Sequence, residues 1–134
     1  MKKENRVKSN ECVFSRYDIS TVLLYRKRAT LQDSQIIVVK EFRSPVSNTS
    51  GYVWELPGGS SLTEVDYKEL AREEVEEETG FTLKNKDRLK PHDVRQLMAT
   101  MSAHKAHLFS VELTEEELEY FKSSSEKTFG VATV

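Results

Sequence analysis

A single cysteine, Cys12, stands in the 134 residues, so neither an internal disulfide nor a two-cysteine metal motif can form. No apolar run approaches the ~20 residues that a membrane helix needs. The basic start, Met1-Lys2-Lys3-Glu4-Asn5-Arg6, is not followed by the apolar core of a secretory signal. Charge of one sign is also lacking: 20 Lys and Arg against 22 Asp and Glu leave a formal net charge of −2. Such a chain has no global pull toward nucleic acid or a membrane surface. There are no repeats and no dividing linker. These absences lead to the expectation of one cytoplasmic domain over residues 1–134, with 1–10 a loose polar arm or short edge strand and Cys12 a small core residue. Neither a membrane nor a nucleic acid is the expected partner, and a homodimer is left open.

What is present is ordinary for a globular domain. Hydrophobic content is 37% and charged content 31%, and the length suffices for a real core. Short strands are expected at 11–14 and 21–25, the latter closed by Arg26-Lys27-Arg28, a solvated strand end. Residues 35–42, Gln-Ile-Ile-Val-Val-Lys-Glu-Phe, form the clearest strand, continuous and β-branched as in a sheet covered on both faces. Turn residues make 44–51 a loop, and 52–56 runs as a strand into Pro57-Gly58-Gly59. Further strands are expected at 81–83, 94–101 and 106–113, with a polar loop carrying Pro91 at 84–93. Thr114-Glu115-Glu116-Glu117 has the form of a capping box and starts a helix to about Lys122, with Leu118 and Phe121 facing inward. Phe129-Gly130-Val131 suggests a last short strand. Strands interrupted by one long helix point to an α/β fold with a mixed sheet flanked by helices.

That long helix organises the chain. Thr63-Glu64-Val65-Asp66 resembles a capping box and places the helix start near Glu64. Gly80 is positioned to end it in the left-handed conformation. Between them stand Glu64, Asp66, Glu69, Glu73, Glu74, Glu76, Glu77 and Glu78 against Lys68 and Arg72. A charge run on a helix is ordinarily a solvated face. At roughly 100° per residue, however, Tyr67, Leu70 and Ala71 form an inward stripe that Glu74, Glu77 and Glu78 continue. Lys68, Glu69, Arg72 and Glu76 fall on the solvent side. Inward carboxylates without a basic partner are costly, and an all-oxygen set suits Mg²⁺ or Mn²⁺. A divalent cation beside a glycine loop points to phosphate chemistry.

At these residues the sequence resembles the Nudix (MutT-like) hydrolases. Their box runs glycine, five residues, glutamate, seven residues, then Arg-Glu-apolar-x-Glu-Glu-x-Gly-apolar. With Gly59 as the first glycine, Glu74, Val75, Glu77, Glu78, Gly80 and Phe81 fall on the pattern. Val65 stands where the family has a glutamate, and Glu73 where it has an arginine. A register one residue earlier recovers Glu64 and Arg72 but loses Gly80 and the apolar positions. Trp54-Glu55-Leu56-Pro57-Gly58-Gly59 resembles the family's entry strand and loop and favours the first register.

The resemblance implies an α/β/α sandwich with a mixed central sheet over roughly residues 20–131. It also implies Mg²⁺ or Mn²⁺ held by Glu74, Glu77, Glu78 and the backbone carbonyl of Gly58. The reaction it implies is cleavage of a nucleoside diphosphate linked to another group, ADP-ribose or a related nucleotide sugar, with Glu74 and Glu77 as catalytic residues. Glu126, on a later loop, is another candidate base. Arg43, in Glu41-Phe42-Arg43-Ser44-Pro45, resembles the strand-end arginine of ADP-ribose pyrophosphatase-like members and would grip a phosphate; the alternative is a plain surface arginine. Tyr52 and Trp54 read as core aromatics, with base stacking as the alternative. His104 and His107 point to opposite faces of a strand and do not make a joint site. The opposing functional expectation is a nucleotide-binding module of the same fold with weak or no turnover, favoured by Val65 and Glu73.

Overall fold

The computed structural model describes residues 9–127 and Phe129; the expected arm at 1–10 and strand at 129–131 fall mostly outside them. Strand β1 (Ile19–Arg26) is the centre of the molecule. Its apolar and polar residues alternate in burial, so Ser20, Val22 and Leu24 face inward with none of their surface exposed, the period-two signature of a half-covered strand. β1 pairs in parallel with β7 (Lys105–Glu112). On its other edge it pairs antiparallel with β2 (Gln35–Ile36) near Tyr25 and with β5 (Gly58–Ser60) near Ser20. β6 (Lys90–Gln96) closes the far side, antiparallel to β7. The fold is therefore α/β with a mixed central sheet.

Helix α1 (Tyr67–Thr79) lies on the Val22–Leu24 face, and α2 (Glu115–Ser124) packs beside it. The core joins Val22 and Leu24 to Phe109 and Val111 of β7, Ala71 and Val75 of α1, and Phe121 of α2. α2 has the expected capping box: Thr114 accepts from the Glu117 N–H, and the Glu117 carboxylate accepts from the Thr114 N–H. Leu118 and Phe121 face inward, as the spacing requires.

Several expectations give way to tertiary packing. The run at 35–42 is broken into β2 and a separate strand β3 (Val39–Phe42), which forms a two-stranded ribbon with β4 (Tyr52–Glu55). It is not covered on both faces: Ile36 and Phe42 are exposed. The ribbon's alternation shows why: Lys40 and Phe42 lie on an exposed face, and Val39 and Glu41 on a half-buried one. The helix does not begin at Glu64. Thr63 is engaged with Ser61, and Asp66 is the N-cap, its carboxylate accepting from the Lys68 N–H. Gly80 does end the helix, at φ 68°, with its N–H bonded to the Glu76 carbonyl. Residues 81–83 form no strand; Leu83 is buried on an irregular segment leading to a 3₁₀ turn (Lys86–Arg88). The polar loop expected at 84–93 instead enters β6 at Lys90. Pro91 is tolerated there because β6 is an edge strand with a register shift between Pro91 and Val94. Residues 11–14 contribute only an isolated bridge, Phe14 to Ser102. Cys12 is exposed rather than a core residue.

Candidate active site

The C-terminal half of α1 faces the short strand β5. Two glycines allow the close approach. A Cβ at Gly59 would lie 2.5 Å from both carboxylate oxygens of Glu74. A Cβ at Gly58 would lie 2.3 Å from the Ser20 carbonyl oxygen and 2.8 Å from the Thr21 Cα. Gly58-Gly59-Ser60 is thus a strand pressed between β1 and α1 rather than an open loop. Where the family resemblance implies a Gly58 carbonyl ligand, the structure shows the Gly58 N–H donating to Glu78 Oε2 at 3.0 Å.

Of the three stripe glutamates, Glu74 and Glu78 converge on this backbone and are half-buried, whereas Glu77 is exposed at the helix surface. The wheel reading overestimated the inward arc because Val75 occupies its centre, fully buried. Among the described residues no group of three or more His, Cys, Asp or Glu side chains is gathered as a metal cluster. Burial pushes the Glu78 carboxyl up to about 7 from an ordinary 4.5. The Gly58 N–H opposes this, Glu74 and Glu41 reinforce it, and Arg43 opposes it more weakly. Burial also raises Glu74, helped by the charges of Glu77 and Glu73.

No helix cation takes up the orienting role. Glu73 is exposed. Arg72 is committed to the solvent side, bonded to Glu69 at 2.8 Å and to Glu76 at 3.3 Å. Arg43 lies at the end of β3 and is bidentate on Glu55, at 2.7 and 3.2 Å. Both partners are partly exposed, so this pair contributes at most about 1 kcal/mol. Glu126 is exposed on the turn after α2 and lines a groove of about 670 Å³ that also reaches Glu41, Glu78 and Trp54.

The remaining expected residues separate. His104 is bonded to Ser102, while His107 is bonded to Asp18 at 3.1 Å and stacked on Tyr67 with ring centroids 3.7 Å apart. Arg26 and Arg28 share Glu115 and hold its carboxyl down at about 2. Tyr52 and Trp54 are not core aromatics: they are 44% and 68% exposed. Glu41 and Glu55, strand residues by their sequence, are the acidic neighbours of Glu78 and Arg43.

No family model and no curated protein matches the chain. Solved structures do. The chain is similar to the T. brucei MERS1 protein in complex with RNA, with a TM-score of 0.59 and 17% identity over 74% of this chain. It is similar to MERS1 in its apo form (0.57, 18%, 74%) and to MERS1 in complex with GDP (0.56, 19%, 73%). This chain spans 35%, 40% and 33% of those chains, respectively. At this identity the likeness shows the fold.

Proposed function

We propose that the protein hydrolyses a phosphoric anhydride bond of a nucleotide, in the manner its Nudix-like residues imply. The observation that carries this reading is the pressing of two half-buried carboxylates, Glu74 and Glu78, onto the Gly58–Gly59 backbone. Both hold their protons more tightly than ordinary glutamates, the signature of acids lacking a sufficient counter-charge. The donor set is all carboxylate oxygen, which suits Mg²⁺ or Mn²⁺. Glu74 and Glu78 would hold the cation, with Glu77, three residues from Glu74 on the helix surface, completing the set. Bound there, it would neutralise anhydride charge and acidify water. Glu74 or Glu77 would accept the proton of the attacking water as its oxygen bonds to phosphorus and the bridging P–O bond breaks. Arg43 would leave Glu55 for a phosphate oxygen of the substrate. The MERS1 complexes with GDP and RNA support a nucleotide as the ligand class; a nucleoside diphosphate linked to another group, such as ADP-ribose, is the finer reading.

One observation favours the second reading, a nucleotide-binding module without turnover. With Arg72 spent on Glu69 and Glu76 and Glu73 at the arginine position, no cation of α1 orients the catalytic carboxylates. A screen of nucleoside diphosphate derivatives with Mg²⁺ and Mn²⁺, read by product mass, separates the two. On the hydrolase reading, Glu73→Arg raises turnover. Undetectable product from both parent and Glu73→Arg, together with nucleotide-induced stabilisation, establishes the binding module instead. Glu73→Arg slowing an already fast parent means that orientation of the acids is supplied elsewhere.

For Arg43→Ala, thermal stability is expected to stay within about 1 kcal/mol of the parent, since only a partly exposed pair is lost. Nucleotide binding should weaken by the equivalent of ~1.5–3 kcal/mol. Titration calorimetry showing parental affinity would return Arg43 to a plain surface role.

A further inference from the structure

The ribbon of β3 and β4 presents an unusual outer face. Its register places Lys40 opposite Trp54 and Phe42 opposite Tyr52, so the four side chains share one side. All three rings are exposed: Phe42 by 58%, Tyr52 by 44% and Trp54 by 68%. Phe42 and Tyr52 meet edge to face at 5.7 Å, and the Lys40 ammonium stands 5.0 Å from the Tyr52 ring and 5.9 Å from that of Trp54. The inner face of the same ribbon carries Val39, Glu41, Val53 and Glu55, which are half-buried. Uncovered rings cost free energy in water, so a face of three rings and one ammonium calls for a ligand with flat π-surfaces and negative charge. The groove that runs from Tyr52 and Trp54 to Glu78 is lined by Lys40, Lys122 and Lys127 as well as by the acids Glu41, Glu78 and Glu126.

We propose that this face binds the unpaired bases of a single-stranded nucleic acid, so that the nucleotide delivered to Glu74 and Glu78 is the end of an oligonucleotide. The inference deepens the nucleotide reading above and rests on it for the placement of the phosphates. Every base has a π-face, so consecutive rings on a strand take consecutive bases with little sequence preference. A mononucleotide would use one ring and leave the row unexplained; Phe42 lies beyond the groove, where only a longer ligand reaches it. A second copy of the chain is a poorer occupant, because an isologous contact centred on this face sets Lys40 near its own symmetry mate. The formal charge of −2 does not oppose this, since stacking supplies the affinity and only a few phosphates need a cation.

The test uses a fluorescein-labelled single-stranded RNA octamer, followed by anisotropy in EDTA, so that binding is read without metal or turnover. Trp54 is the one tryptophan, and its emission should be quenched on binding. Trp54→Ala is expected to weaken binding roughly five- to hundredfold, Tyr52→Ala similarly, and Trp54→Phe, which keeps a ring, only slightly. Lys40→Gln should make the slope of log K against log salt shallower by about 0.7. Parental affinity in Trp54→Ala, equal binding of duplex RNA, or AMP quenching Trp54 as well as the octamer does at equal nucleotide concentration would each overturn the proposal. So would light scattering that shows a dimer which Trp54→Ala dissociates. Octamer binding with no turnover of any substrate retains the inference and removes the hydrolase reading. Hydrolysis of mononucleotides without octamer binding does the reverse.

Discussion

Glu78→Gln is expected to stabilise the metal-free protein at pH 8 by roughly 1–2 kcal/mol, while changing it little at pH 4.5. In the fold Glu78 holds its proton up to about 7 against an ordinary 4.5, so between those values the native state binds the proton and the unfolded chain does not. Stability from this group is therefore complete below the unfolded value of 4.5 and is lost as the pH rises through 7. For a dry group a displacement of that size corresponds to about 3 kcal/mol, and partial exposure reduces it to the figure above. Glutamine is neutral at every pH and its carbonyl still accepts from the Gly58 N–H, so the hydrogen bond survives while the buried charge is removed. Urea unfolding in EDTA at several pH values measures the effect directly. With Mn²⁺ present the order should invert, because the parent gains ligand-linked stability and Glu78→Gln loses it. Identical pH profiles for parent and variant would show that Glu78 is solvated like any surface acid and would remove the main support for the site.

Gly58→Ala is expected to lower stability by about 1–3 kcal/mol, the cost of overpacking, with a melting temperature roughly 5–10 °C lower for a chain of this size. The added methyl would meet the backbone of Ser20 and Thr21, within 2.3 to 2.8 Å, and neither can move without disturbing the central strand. Gly59→Ala provides the contrast. The three atoms nearest its methyl all belong to the Glu74 carboxylate, the free end of a flexible side chain, so the fold should keep its melting temperature while Glu74 swings out of the site. Paired melting curves with and without Mn²⁺ separate the two: a lower baseline melting temperature for Gly58→Ala, and an unchanged baseline with a diminished metal response for Gly59→Ala. Equal baseline losses in both variants would mean that the two glycines serve β5 alone.

Much of this architecture is legible in the residues. Alternation marks β1, the capping box marks α2, and Gly80 marks the end of α1, because each is a local choice of dihedral angle or hydrogen-bond partner. The spacing of Gly58-Gly59 and the acids of α1 likewise foretells that they meet. Other features depend on what lies across from a residue, which spacing along one chain does not specify. The break between Ile36 and Val39 arises because β3 leaves the central sheet to pair with β4. Glu77 turns outward because Val75 takes the centre of the helix stripe. Trp54 and Tyr52, aromatic and on either side of Val53, have the composition of core side chains. They are exposed because, among the described residues, β4 pairs only with β3 and no layer covers the face they share with Lys40. Local chemistry thus determined β1, the capping of α2, the end of α1 and the approach of Glu74 and Glu78 to the glycines. The tertiary structure alone decided which side of each strand is covered, since burial is a property of two surfaces in contact.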